Sequence, residues 1–210
     1  MMHHDVMANL DRWRVLMNLW GLHNNQTTFD ALLASYTEKG RHYHGLAHIS
    51  ACLRHLDGCA SQLEEPRKVE LALWFHDAIY QPLQGGNERK SADWAMAFLR
   101  ENGASQAQID RVERLIMVTE HNAPTQSRDE SLLVDIDLAI LGAEPAVYDQ
   151  FERDIRSEYQ LVPLFIYRRK RAALLRGFLE RPQLFHNAPF LDREQQARAN
   201  LSRAIADLTG

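Results

Sequence analysis

The chain has 210 residues, of which 45% are hydrophobic and 25% charged, and its formal net charge at neutral pH is −4. This size and composition suit one domain with a real core, and the acidic balance argues against binding of duplex nucleic acid. No apolar run approaches the ~20 residues that a membrane span needs, and the acidic, weakly apolar N-terminal stretch is unlike a signal peptide. Cys52 and Cys59, the only cysteines, do not suggest a disulfide framework, so we expect a reduced, cytoplasmic protein.

Apolar residues recur at helical spacing through the first part of the chain. This periodicity predicts helices over about residues 6–20, 29–36 and 46–56. Pro66 suits the first turn of a fourth helix, which runs to His76. The stretch "YQPLQGGN" that follows breaks the pattern and is typical of a loop.

The same spacing continues through the second part of the chain. Helices are predicted over residues 87–99 and 105–116, the second of them opening with a capping box of Ser105 and Gln108. The stretch "SLLVDIDLAILG", residues 131–142, fits a strand or a helix equally well. Later helices begin near Pro145, Pro163 and Asp192. Because no series of alternating strand patterns is present, the predicted fold class is all-α.

Three histidines lie within the stretch "RHYHGLAH", residues 41–48. His44 and His48 are four residues apart, which places their side chains on one face of a helix. Imidazoles in that relation can project toward a single point. His42 lies beside them and is expected to flank the same region.

Further titratable residues follow two apolar stretches. His76 and Asp77 end the helix "LALWFHD", and Asp135 and Asp137 lie among aliphatic residues. Burying such groups is costly unless a partner compensates them. Each alone can be a hydrogen-bonded core residue or a helix cap. Together, two imidazoles and two carboxylates form a good ligand set for a divalent cation.

The order His, His-Asp, Asp resembles the HD superfamily of metal-dependent phosphohydrolases, over about residues 41–142. The resemblance implies a single domain, residues 1–210, in which an HD-like helical bundle carries additional C-terminal helices over about 144–210. It also implies one or two divalent ions per chain, with Mn, Fe, Zn, Co or Ni favoured over Mg. The metal ligands that it implies are His48, His76, Asp77 and Asp137, with Asp135 as the alternative to Asp137.

The stretch "YHGLAH" is also similar to the Tyr-His-Asn-x-x-His pattern of cyclic-nucleotide phosphodiesterases, although Gly45 stands where those enzymes have asparagine. That likeness implies that His44 is a general acid beside the ligand His48. A small bacterial family of predicted HD phosphohydrolases looks similar over the whole chain. The stretches that carry this second likeness are "RHYHGLAH", "WFHDAIY", "NERKSA", "TEHNA" and "DIDLAILG".

Four further features are weaker candidates for the site. Glu88 can orient a metal-bound water or simply favour a helix dipole. His121 can contact substrate, add a ligand or favour the dipole at a helix end. Arg41 is the better candidate for a phosphate contact. The basic cluster Arg168–Arg171 is either a solvated helix face or a phosphate clamp.

The expected function is hydrolysis of a phosphate ester in a nucleotide or another small phosphorylated metabolite. The attacking group would be a metal-bound hydroxide, with Asp77 and Glu88 assisting and His44 protonating the leaving group. Two alternatives stay open: a di-iron oxygenase that uses extra histidines, and a metal-dependent nucleotide-binding module without turnover. Neither membrane nor duplex nucleic acid is an expected partner, and the sequence leaves homo-oligomer formation open.

Overall fold

The computed structural model describes residues 2–210, with side chains described from Asn9 onward. Throughout this part of the chain the regular elements are helices, which confirms the predicted all-α class. The α-helices are α1 (Met2–Trp20), α2 (Gln26–Tyr36), α3 (Leu46–Cys59), α4 (Pro66–Phe75), α5 (Asn87–Glu101), α6 (Gln106–Met117), α7 (Arg128–Asp137), α8 (Pro145–Glu158), α9 (Leu164–Leu179) and α10 (Glu194–Thr209). Short 3₁₀ turns occupy Ala60–Gln62, Val118–Glu120, Leu138–Gly142 and Leu191–Arg193. The ambiguous stretch 131–142 is therefore helical, as the end of α7 and the 3₁₀ turn after it.

The chain divides into two compact units. The first extends to Leu133 and the second runs from Val134 to Gly210, so the division falls inside α7. Two compact units can belong to one domain, and the expected HD-like core over about 41–142 with an extension over about 144–210 stays a prediction. Among the residues that the structure describes, none of the helices is both long and apolar enough to cross a membrane.

The core of the first unit is an aromatic cluster around α4. Trp74 lies edge-on to Trp13 at 5.8 Å and to Phe29 at 5.9 Å between ring centroids, and Phe75 lies 5.5 Å from Phe98. Such pairs add to the free energy gained from burying the rings. Every residue from Leu71 to Phe75 is buried. The pair His76-Asp77 therefore follows a helix whose last turns are surrounded by core.

The N-terminal end of α4 is held by buried charge. The fully buried carboxylate of Asp129 accepts hydrogen bonds from the main-chain N–H of Glu64 at 2.8 Å and of Glu65 at 2.9 Å. Arg111 forms ion pairs with Glu65 at 3.1 Å and with Glu130 at 2.8 Å. These contacts join the start of α7 to the start of α4 and fix where α4 begins.

The second unit contains a buried side-chain amide, that of Asn200. The Asn200 side chain, on α10, donates to the main-chain oxygens of Leu141 at 2.9 Å and of Ala143 at 2.8 Å. Between them, a Cβ at Gly142 would lie 2.5 Å from the Cβ of Arg193. Only glycine fits this close approach, so the turn after α7 packs directly on the segment that precedes α10.

Candidate metal centre

Three potential ligand atoms of the first unit converge on one point. The Nε2 atom of His48, in the first turn of α3, lies 3.2 Å from the Nε2 atom of His76. The Oδ2 atom of Asp77 lies 3.4 Å from the former nitrogen and 3.1 Å from the latter. Each element contributes because α3 begins just before His48 and α4 ends just before His76.

The spacing of these three atoms suits a metal ion. Nitrogen and oxygen ligands bind first-row divalent ions at about 2.0–2.2 Å, which separates neighbouring ligand atoms by about 3.0–3.4 Å in octahedral or tetrahedral geometry. All three observed separations fall in this range. A point about 2 Å from all three atoms is therefore compatible with these separations.

The hydrogen bond of His76 to the main chain selects the tautomer that a ligand needs. Its Nδ1 atom lies 2.8 Å from the carbonyl oxygen of Leu73. A carbonyl can only accept, so Nδ1 carries the proton in the neutral ring and Nε2 presents its lone pair. A backbone carbonyl in this position is the usual orienting partner of a metal-binding histidine.

Asp77 is held in its charged form. Burial by itself would raise the pKa of this carboxyl, but the adjacent imidazoles of His76 and His48 outweigh burial and hold the pKa well below its usual range. The Asp77 side chain is 17% exposed to solvent. Asp77 therefore supplies a negative charge next to two imidazole nitrogens.

Three buried side chains of the first unit, His48, Cys52 and His76, each have one potential ligand atom within 4.8 Å of the others. Cys52 was not predicted, although its position one helical turn after His48 was a usable signal. Its Sγ atom lies 3.7 Å from Nε2 and 3.8 Å from Nδ1 of His48. Because the two distances are nearly equal, the sulfur is off the axis of the Nε2 lone pair, and Asp77 is the better placed ligand.

The two aspartates of "DIDL" have different surroundings. Asp137 is the last residue of α7 and is half-buried. The carboxylate of Asp135 is fully buried and accepts from the main-chain N–H of His186 at 3.0 Å and of Asn187 at 2.8 Å. The side-chain amide of Asn187 adds a third bond at 2.9 Å. These hydrogen bonds give Asp135 a structural role, and the assignment of Asp137 as the ligand stays a prediction.

His44 lies beside the converging atoms, in a short aromatic stack. Its ring is stacked on Tyr80 at 4.0 Å, and its centroid is 5.9 Å from that of His48. Tyr43 contacts both histidines, at 4.9 Å and 4.8 Å. Tyr80, which was not predicted, comes from the segment after the His-Asp pair. His42 is exposed.

Arg41 does not have the surroundings that a phosphate contact requires. Its side chain is 3% exposed. It donates to the main-chain oxygens of His44, Asp77 and Ala78, to the hydroxyl of Ser35 and, at 3.5 Å, to Glu38. An arginine has five N–H groups, and all five point at protein acceptors here. This arrangement argues against the predicted phosphate contact.

The remaining candidates surround this region in different ways. Burial raises the pKa of the half-buried Glu88 carboxyl, and the negative charges of Asp77 and Glu120 add to this rise. Glu88 is therefore close enough to Asp77 for the negative charge of Asp77 to raise the pKa of Glu88. The interaction of Glu88 with His121 acts to lower the pKa of Glu88. The backbone of His121 is left-handed, with φ of 56°.

The basic cluster on α9 is divided by burial. Arg168, Arg169 and Lys170 are exposed. Arg171 is instead buried against Glu152, to which it donates at 2.6 and 3.1 Å. The first three residues therefore form a solvated helix face, and Arg171 forms an internal ion pair with Glu152.

No protein-family model, curated protein or solved structure matches this chain. The resemblance to the HD superfamily therefore depends on its motif residues, and membership of that superfamily stays a prediction.

Proposed function

We propose that this protein is a metal-dependent hydrolase that cleaves a phosphate ester in a nucleotide or another small phosphorylated metabolite. The observation that carries the proposal is the convergence of His48 Nε2, His76 Nε2 and Asp77 Oδ2 at mutual distances of 3.1–3.4 Å. The phosphate ester is inferred from the motif resemblance, while the metal is inferred from the ligand geometry.

The ligand set in this proposal is His48, His76, Asp77 and Asp137. Two imidazoles with carboxylates favour Mn, Fe, Co, Ni or Zn over Mg. A bound divalent ion would supply an acidified water and a Lewis acid for a phosphoryl oxygen. Asp77 keeps its charge because its pKa is low, and its carboxylate can orient the attacking water.

His44 is the proton donor to the leaving oxygen in this proposal. Its ring plane is fixed by the stack on Tyr80 and it lies next to the ligand His48. General acid catalysis by such a group contributes about 10²–10⁴-fold to the rate. Glu88, whose pKa is raised in part by the charge of Asp77, orients the attacking water in this proposal.

The first experiment measures metal content by mass spectrometry and phosphate release from a panel of nucleoside monophosphates, cyclic nucleotides and sugar phosphates. Wild type should hold about one or two transition-metal ions per chain and release phosphate, or open a cyclic ester, with at least one substrate. Asp77→Asn should lose both properties. Asp93→Asn, an exposed carboxylate that pairs with Arg89, should keep them.

Other outcomes would contradict the proposal. A folded wild type that stays empty after incubation with Mn²⁺ or Zn²⁺ has no metal centre. Two irons per chain with an absorbance change on addition of oxygen would identify an oxygenase. Tight nucleotide binding with no product from any substrate would identify a binding module.

A second experiment separates proton donation from metal binding. His44→Ala should retain the wild-type metal content and lose about 10²–10⁴-fold in kcat. The ring of His44 is outside the group of converging ligand atoms, which is the reason to expect metal retention. An emptied site in this variant would make His44 a ligand instead of an acid.

A further inference from the structure

Arg41 is a buried cation whose hydrogen bonds go mainly to main-chain oxygens. One terminal nitrogen, Nη1, donates to His44 O at 3.0 Å and to Asp77 O at 2.6 Å. The other, Nη2, donates to Ala78 O at 2.9 Å and to Ser35 Oγ at 3.0 Å. The Ser35 hydroxyl itself donates to Ala78 O.

These acceptors belong to two segments that are distant in sequence. His44 O lies in the turn that leads into α3, two residues before that helix begins. Asp77 O and Ala78 O lie directly after α4. A single guanidinium therefore joins the main chain of the "RHYHGLAH" segment to that of the "WFHDAIY" segment.

The planar fork of arginine is suited to this task. The terminal nitrogens present four N–H groups in a fixed plane, whereas a lysine has three donors on one atom. The rings of Tyr36 and Tyr80 lie 5.4 and 5.7 Å from the guanidinium carbon, which adds cation–π attraction. Tyr80 is also the ring on which His44 is stacked. The same group thus restrains the main chain of His44 and the aromatic ring beside its side chain.

We infer that Arg41 is a positioning residue for the candidate metal centre: its guanidinium sets the separation of the His44 and Asp77 main chains and so holds their side chains in register with His48. This inference rests on the proposed metal-dependent function. The contacts that carry it are hydrogen bonds to main-chain carbonyls, so Arg41 acts through the proposed acid His44 and the proposed ligand Asp77 and touches neither ion nor substrate. Partners of this kind typically contribute 10–100-fold to metal affinity.

The test compares Co²⁺ binding by wild type, Arg41→Lys and a matched control, Arg12→Lys. Arg12 also bridges two helices of the first unit, with Glu70 at 2.7 Å and Asp57 at 2.8 Å, and both partners lie outside the two motif segments. Titrations are followed by calorimetry and by the visible absorption of bound Co²⁺, at a temperature where circular dichroism shows each variant folded.

Arg41→Lys should bind Co²⁺ about 10–100-fold more weakly and with an altered absorption spectrum. Arg12→Lys should match wild type in both affinity and spectrum, even though its melting temperature falls. Wild-type affinity and spectrum in Arg41→Lys would overturn the inference and leave the proposed function intact. A wild type that binds no Co²⁺ would overturn both.

A milder variant decides the question if Arg41→Lys does not fold. Ser35→Ala removes one acceptor of the guanidinium and one bond to Ala78 O while leaving Arg41 in place. It should weaken Co²⁺ binding by a few-fold and shift the absorption spectrum in the same sense. An unchanged spectrum in this variant would count against the positioning role.

Discussion

The two ends of α4 each carry a buried polar cluster, and the clusters are built in opposite ways. At the N-terminal end, Arg111 pairs with Glu65 and Glu130, and Asp129 accepts main-chain N–H groups. At the C-terminal end, His76 and Asp77 bring an imidazole nitrogen and a carboxylate oxygen within 3.1 Å of each other. The first cluster contains its own cation, whereas the second brings potential ligand atoms together.

The hydrogen bonds of Arg41 illustrate this difference. Arg41 approaches Asp77, but it donates to the main-chain oxygen of that residue. The Asp77 carboxylate is instead in contact with the imidazoles of His48 and His76. Buried charges that pair with each other are costly to separate, whereas converging ligand atoms are suited to an external cation. The comparison teaches that burial alone does not identify a binding site; the chemistry of the facing atoms does.

The largest expected effect comes from breaking the N-terminal cluster. Arg111→Met leaves the buried carboxylates of Asp129 and Glu130 without their cation, which should lower the free energy of unfolding by about 3–5 kcal/mol. Urea denaturation followed by circular dichroism measures this loss. The double variant with Glu130→Gln should recover part of it. A loss below about 1 kcal/mol would show that the N-terminal cluster contributes little to folding.

A smaller loss of stability is expected at Asp135, one of two aspartates near the boundary between the units, and a comparison with Asp137 separates stability from metal binding. Asp135→Asn places an amide against three N–H donors and should cost about 1–3 kcal/mol of unfolding free energy. Its metal content should stay at the wild-type level. Asp137→Asn should do the reverse, with lowered metal content and a smaller change in stability. Mass spectrometry measures the metal content of both variants, and urea denaturation measures their stability. Lowered metal content in Asp135→Asn together with a larger loss of stability in Asp137→Asn would contradict the assignment.

The smallest expected effect is a pH dependence at Glu88. Burial and the nearby charge of Asp77 raise the folded-state pKa of this carboxyl above its unfolded value. Between the two pKa values the folded state binds more protons, so the free energy of unfolding falls as pH rises through that window. Glu88→Gln should remove this fall and show a flatter curve in urea denaturation across the acidic range. Parallel curves for the two proteins would mean that Glu88 is more exposed than the structure shows.

The candidate ligands could be predicted because their signal is local. His48, His76, Asp77 and Asp137 each follow or interrupt an apolar helical stretch, and their residue types limit the chemistry. The structure brings the Nε2 atoms of His48 and His76 within 3.2 Å of each other. Asp77 lies against the two histidines. The metal itself and the reaction stay predictions.

Other features of the site could not be predicted because they depend on contacts between distant segments. Arg41 lies next to the histidine cluster in sequence, and that proximity suggested a phosphate contact. Its actual acceptors include the main chain of Asp77 and Ala78, 36 and 37 residues away. The stack of Tyr80 on His44 is equally non-local.

The sequence by itself determined the all-α class and the approximate bounds of most helices, because apolar periodicity and capping act over a few residues. It also determined that "SLLVDIDLAILG" contains two aspartates that need compensation. Only the tertiary structure decided between helix and strand for that stretch, and only it separated Asp135, bound by the N–H groups of His186 and Asn187, from Asp137. Two residues of one type in one apolar stretch have the same local signal, and their roles differ because different segments of the folded chain contact them.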